Sequence, residues 1–236
     1  MTLVKRATHK AASRESFYTY LAGIFLQEPS VDLWPLQRQA LAEFLKESGI
    51  EINFGETILE DAPSIVEKLR QEYYDCFFVP MSGKYVPPYE SALLGYNAQK
   101  SKSFGPLNSN EANHVDQCYE VVGFNPRELN MFAPLKEIQF PDHAGFELIF
   151  MAMLCGAEKA AWERDNPSQA KEWASLQFQF LQEHLAKWWP NFVLALEKMA
   201  PGFYALAAKA GEIWIQSELD DFHNELNQGG ISDARN

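Results

Sequence analysis

The sequence predicts an all-α fold, a single helical bundle of about nine helices in two packed lobes. Three observations carry this. Nearly every long segment repeats its apolar residues at the spacing of one helix face. Strand-period alternation is nearly absent. Helix-breaking and capping residues punctuate the chain at Pro29, Pro35, Gly55, the Pro80 to Pro88 loop, Gly105-Pro106, Gly123, Pro134, Pro167, Pro190 and Pro201.

The periodicity predicts helices near 11–27, 31–47, 57–78, 91–101, 109–122, 141–164, 167–187, 190–199 and 202–227. In the first, Lys5, Arg6, Lys10 and Arg14 precede the apolar stretch Phe17 to Leu26, which imitates the start of an export signal. Glu15 interrupts it, and Tyr18, Thr19 and Tyr20 weaken its apolar character. Phe17, Leu21, Ile24 and Phe25 instead fall at helical spacing, as in an amphipathic core helix. Gly123 reads as a helix C-cap. Asn125-Pro126 and Asn166-Pro167 read as cap-then-proline starts, with Glu128 in the first turn after Asn125. After Asn227 the glycine-containing end reads as a frayed tail.

The segment 123–141 carries Pro126, Pro134 and Pro141 with little helical periodicity. It is the expected hinge between an N-terminal lobe, about 1–122, and a C-terminal lobe, about 142–236. The helix after it is apolar nearly all round from Phe146 to Leu154, so it belongs in the middle of the bundle. Pro141 and Asp142 suit the first turn of that helix, the acid meeting the positive end of its dipole. His143 and Glu147 lie one helical turn apart on a shared face. Glu147 falls inside a buried helix, where a carboxylate needs a partner or access to a groove. The cluster is either a fixed structural cap or a site.

Composition narrows the function classes. The 236 residues are 47% hydrophobic and 22% charged, as in an ordinary globular protein. A formal net charge of −12 argues against nucleic acid and favours a basic partner. Cys76, Cys118 and Cys155 are far apart and odd in number, which predicts buried free thiols in a reducing compartment. No CxxC occurs, and no local Cys-His spacing is read as a metal site. The longest apolar run, Leu148 to Ala157, is too short for a membrane span, so no stable membrane insertion and a cytoplasmic location are expected. His114, His184 and His223 are scattered, and HExxH, GxSxG and phosphate-cradling glycine loops are absent, which disfavours catalysis.

Two further clusters stand out. Tyr73-Tyr74 and Phe77-Phe78 end one helix, and Pro87-Pro88-Tyr89-Glu90-Ser91 leads into the next. Aromatics beside a rigid Pro-Pro segment make a stiff apolar surface suited to a docked peptide, and Glu90 adds a charge for a basic group. The alternative is that Phe77 and Phe78 are core and the prolines only shape the loop. In the third cluster, Phe180 to Pro190, the aromatics and leucines read as core and His184 as a packed, hydrogen-bonded histidine.

Together these stretches resemble the TorD/DmsD family of cytoplasmic chaperones for molybdenum-containing reductases. The likeness rests on Tyr74 to Pro80, then Pro-Pro-Tyr-Glu-Ser at Pro87 to Ser91, then Pro-Asp-His with Glu147, then His184-Leu185 with Trp188, and it runs from about Phe17 to Ile215. It departs from the family pattern at Phe77, Ala92 and Phe140. The resemblance implies a non-enzymatic maturation factor with no cofactor and no metal. Such a factor binds the twin-arginine signal peptide of a client reductase, and often its body, and holds back export until the molybdenum cofactor is inserted. The peptide-binding residues it implies are Tyr74, Phe78, Pro88, Tyr89, Glu90, Ser91, Asp142, His143 and Glu147. It also implies a monomer or a lobe-swapped dimer. A structural assembly subunit of a reductase and a nucleotide hydrolase are the alternatives weighed against it.

Overall fold

The computed structural model describes residues 3–52, 62–99, 103–107, 109–137 and 140–233, with backbone only for residue 3 and residues 225–233. Nine α-helices and no strand occur among them. The helices are α1 (Leu3–Leu26), α2 (Trp34–Glu47), α3 (Ala62–Phe77), α4 (Glu90–Leu94), α5 (Asn110–Val122), α6 (Ala144–Glu163), α7 (Pro167–Phe180), α8 (Ala186–Met199) and α9 (Phe203–Asp233). The all-α expectation holds. The break at Gly55, the start of the helix expected from 57, and the last residues of the one expected over 91–101 lie outside the described residues.

α6 is the central element. Ala144, Phe146, Leu148, Met151, Leu154 and Cys155 are all buried on it, as its all-round apolar sequence requires. α1 packs antiparallel along it, with Leu26 beside Gly145 at one end and Glu15 beside Gly156 further along. A Cβ at Gly145 would come 2.5 Å from Leu26 Cγ, so the absence of a side chain there sets how closely the two helices approach. α8 lies against α9, where Trp189 Nε1 donates to the Ala208 carbonyl at 2.8 Å. Trp188, Trp189 and Phe192 are fully buried, each removing an apolar surface worth roughly 1.5–3 kcal/mol from water.

Several boundaries differ from the sequence reading. α1 begins at Leu3, earlier than 11. α6 begins at Ala144 rather than 141; Pro141 and Asp142 lie before the helix and His143 is its cap. The helix expected over 91–101 is only α4, which ends where Gly95 meets Gly105 backbone to backbone and Gly105 N–H bonds the Ala92 carbonyl. Pro190 does not break the chain. It sits inside α8, and α7 runs into α8 through one π-helical turn, Leu181–Leu185. The burial of Trp188, Trp189 and Phe192 offsets the backbone bond that the proline removes. The C-terminal stretch expected to fray continues α9 to Asp233, since two glycines cost a helix about 1 kcal/mol each without stopping it. The expected hinge holds two short 3-10 turns, Pro126–Glu128 and Ala133–Glu137. Gly123 caps α5 in the left-handed region at φ 71, and Asn166 caps α7, both as the sequence indicates.

One buried ionic group ties four helices together. Arg14 of α1 pairs with Glu158 of α6 at 3.5 Å and with Glu218 of α9 at 2.7 Å. Gln177 of α7 donates to the same Glu158 carboxylate at 2.9 Å, and the guanidinium lies 4.6 Å above the Phe222 ring. Burial pushes the Glu218 carboxyl up, and Arg14 pulls it back. Removing one partner of such a group strands the others. Arg14→Leu is therefore expected to lower stability by roughly 3–5 kcal/mol in urea unfolding. Arg14→Lys should recover only part of this, because an ammonium lacks the planar fork that reaches two carboxylates.

Candidate functional site

The two proline motifs, distant in sequence, meet as a pair of extended segments. Pro87 and Pro88 fix the backbone leading to Tyr89, which is extended at φ −128 and ψ 134. Tyr89 and His143 form an antiparallel bridge. Ala144 N–H donates to the Pro88 carbonyl at 2.8 Å and Glu90 N–H donates to the Asp142 carbonyl at 3.0 Å. Asp142 then accepts the Ser91 N–H on Oδ2 at 2.8 Å. Asp142 therefore caps α4, not the helix that follows it. The cap of α6 is His143, whose Nδ1 accepts from Gly145 N–H at 3.1 Å. This assignment of roles corrects the sequence reading: the acid serves the partner motif and the histidine serves its own helix.

Behind the bridge lies a buried polar group drawn from four elements. Glu90, Asp142, His143, Glu147 and His184 are all at most 2% exposed. Glu147 Oε2 accepts from Trp188 Nε1 at 3.0 Å. Burial pushes the Glu147 carboxyl well above the usual carboxylate range, the Glu90 charge pushes it further, and the Trp188 N–H offsets part of this. Burial also raises Asp142, against the lowering effect of its bonds to Ser91. Burial alone lowers His143 to about 3, so it is a neutral imidazole with its lone pair on the cap. Glu90 Oε2 pairs with His184 Nδ1 at 2.8 Å. His184 is pulled down by burial, but hydrogen bonds to Cys118 and Glu90 outweigh this and raise it to about 9.

Of the nine residues expected to bind a peptide, Pro88, Tyr89, Glu90, Ser91, Asp142, His143 and Glu147 come together here, and all are buried. Tyr74 and Phe78 do not join them. They are half-buried at the end of α3, where Tyr74 donates to Glu28 at 2.6 Å and both rings meet Phe132 edge-on. His143 and Glu147 face different partners rather than each other.

A cleft of about 350 Å³ opens beside the junction, along the segment 124–141. Phe124, Met131, Phe140 and Phe146 line it, and Asp116, Glu120, Arg127 and Lys136 stand at its rim. Tyr119 ties its floor to the bridge by donating to the Pro141 carbonyl at 3.1 Å. Sequence reasoning missed Asp116, Glu120 and Phe132, which carry no motif, and Trp188 as the partner of Glu147. It also missed His114 and Cys118. They stand one turn apart on α5, and with His184 they bring together a group that no local Cys-His spacing was read to give. Cys76 and Cys155 are buried free thiols as expected, but Cys118 is only partly buried.

The sequence model for the nitrate reductase delta subunit family matches residues 39–194, about two thirds of the chain and all of the junction and cleft. No curated protein and no solved structure matches it.

The buried histidine cap yields a pH prediction. The folded value of His143, about 3, lies below the unfolded 6.5, so the unfolded chain binds more protons in that window. Stability therefore falls as pH drops from 6.5 toward 3. His143→Asn keeps a capping oxygen without the titration. Urea unfolding at pH 7 and pH 5 should show the variant losing less stability than the parent, by on the order of 2 kcal/mol. Asp142 and Glu147, whose raised values act with the opposite sign, are common to both proteins and cancel in the difference.

Proposed function

The chain belongs to the nitrate reductase delta subunit family, which takes in the TorD/DmsD-type maturation chaperones its motifs resemble, and from that premise we propose that it binds the twin-arginine signal peptide of a molybdenum-containing reductase. Family membership makes it a chaperone-type partner of a nitrate-reductase-like molybdoenzyme. No helix among the described residues is long and apolar enough to cross a membrane. The proposed role is to hold the client in the cytoplasm, unexported, until its cofactor is in place.

The observation that carries this reading is the hinge cleft. Its aromatic wall suits the apolar stretch of a signal peptide, and Asp116 and Glu120 at its rim are both exposed to take arginine forks. Each exposed pair is worth up to about 1 kcal/mol, and more as the guest covers it. The net charge of −12 favours approach of a basic leader. In this arrangement the buried Pro88, Tyr89, Glu90, Ser91, Asp142, His143 and Glu147 set the cleft wall from beneath. They would touch the guest only if the two motifs part. Tyr74 and Phe78, with Phe132, extend the aromatic surface on the far side of the hinge segment. Exchange of lobes about the same segment is the proposed route to any dimer.

The family's description as a subunit favours a second reading, a permanent place in the finished reductase. Co-purification separates the two: a chaperone is found with the immature client and is lost from the mature complex.

Calorimetry with a synthetic twin-arginine leader tests the first reading. Binding at micromolar affinity or tighter is expected. Asp116→Asn with Glu120→Gln should weaken it about tenfold, the equivalent of 1.4 kcal/mol, and Phe140→Ala by a similar factor. Affinity unchanged in all three would place the guest elsewhere.

A further inference from the structure

A second cluster of side chains lies on the opposite side of Glu90 from the bridge, and the peptide reading makes no use of it. His114 and Cys118 project from one face of α5, a turn apart. His184 reaches them from the π-helical turn that joins α7 to α8. His114 Nδ1 and His184 Nε2 are 2.9 Å apart, Cys118 Sγ is 4.0 Å from the same His184 Nε2, and all three ligand atoms fall within 4.8 Å of one another. A four-coordinate zinc ion with two imidazoles and a thiolate holds its nitrogens about 3.3 Å apart and its sulfur about 3.6 Å from each. Small side-chain rotations therefore convert the observed triangle into that one.

We propose that His114, Cys118 and His184 form a binding site for a single divalent cation of the zinc class, independent of the peptide cleft. Three further features fit. The other ring nitrogen of His184 is held by the Glu90 carboxylate at 2.8 Å, the carboxylate–histidine arrangement that fixes a metal-binding imidazole in tautomer and orientation. The donor set is nitrogen and sulfur, which suits zinc-class ions and not calcium or magnesium. The cluster also opens to solvent: His114 is exposed, Cys118 is partly exposed, and both line a cleft of about 280 Å³ with Gln179 and Glu183. The three ligands leave a fourth position on that open side, for water or for a donor atom of a bound molecule. A bare pair of hydrogen-bonded histidines, their rings stacked at 4.9 Å, is what the cluster amounts to if no metal binds.

The test uses the full chain, stripped with a chelator and titrated with zinc against a chromophoric competitor, and separately with cobalt. Stoichiometric binding is expected, with a cobalt spectrum showing the intense visible bands of a tetrahedral site and a thiolate-to-metal charge-transfer band. Cys118→Ser should abolish the charge-transfer band. His114→Ala should weaken zinc by at least about 100-fold, and Glu90→Gln by about 10- to 100-fold with the sulfur band retained. Zinc should raise the melting temperature of the parent and not of His114→Ala. No stoichiometric binding by the parent, or a cobalt spectrum unchanged in Cys118→Ser and His114→Ala, would overturn the proposal. Both substituted side chains reach the surface, and circular dichroism checks the folding of each variant. If one fails to fold, the presence or absence of the sulfur band in the parent decides.

Discussion

The structure depends on what Asp142 accepts. Its carbonyl takes the amide of Glu90 and its carboxylate takes the amide of Ser91, so one residue before α6 holds the start of α4. That grip fixes Glu90 at the point where it meets His184, and it leaves His143 free to cap α6. With α6 started at a fixed place, Glu147 comes round one turn later beneath Trp188. A chain of contacts thus runs from the start of α4, through Asp142 and His143, to the π turn before α8. Loosen the two amides and each of those partners loses its counterpart.

Such a junction is costly to build. Several carboxyls and two imidazoles share a nearly dry volume, and an unpaired charge there costs several kcal/mol. The molecule meets this in three different ways. Glu147 takes the Trp188 N–H, Glu90 is paired with His184, and Asp142 accepts the Ser91 amide. Each device needs its neighbour to be in place, so the group specifies one arrangement of the helices more sharply than an apolar core would. Arg14 with Glu158 and Glu218 does the same work near the middle of α1. Both ionic groups involve α6, the helix whose sequence is otherwise the most apolar.

The helices were legible because their apolar spacing is strong: the centrality of α6 follows from residues 146–154, and the caps at Gly123 and Asn166 from their residue types. The motifs of the site were legible as motifs, but not what they bond to. Nothing local in Pro-Asp-His says that the acid caps a helix in another segment, since that depends on a pairing across some fifty residues of chain. The proline at 190 misled because local chemistry argues for a break while the burial of three neighbouring aromatics argues against one, and the burial wins. His114 and Cys118 were invisible for a similar reason. Their third member, His184, lies 70 residues further along the chain in the π turn, and no local spacing connects it to them.

The π-helical turn spans Leu181–Leu185. An α-helix advances about 100° per residue, so one additional residue in a turn rotates everything downstream by that angle relative to what lies upstream. The turn is a phase shifter inside a rod that otherwise looks uniform. Phe180, His184 and Trp188 follow at four-residue spacing through this turn, and all three are buried. The turn carries His184, whose Nδ1 meets the buried Glu90 at 2.8 Å. In molecules of this architecture, the place to look for a new chemical grouping is the interior of an unbroken helix as much as the loops between helices.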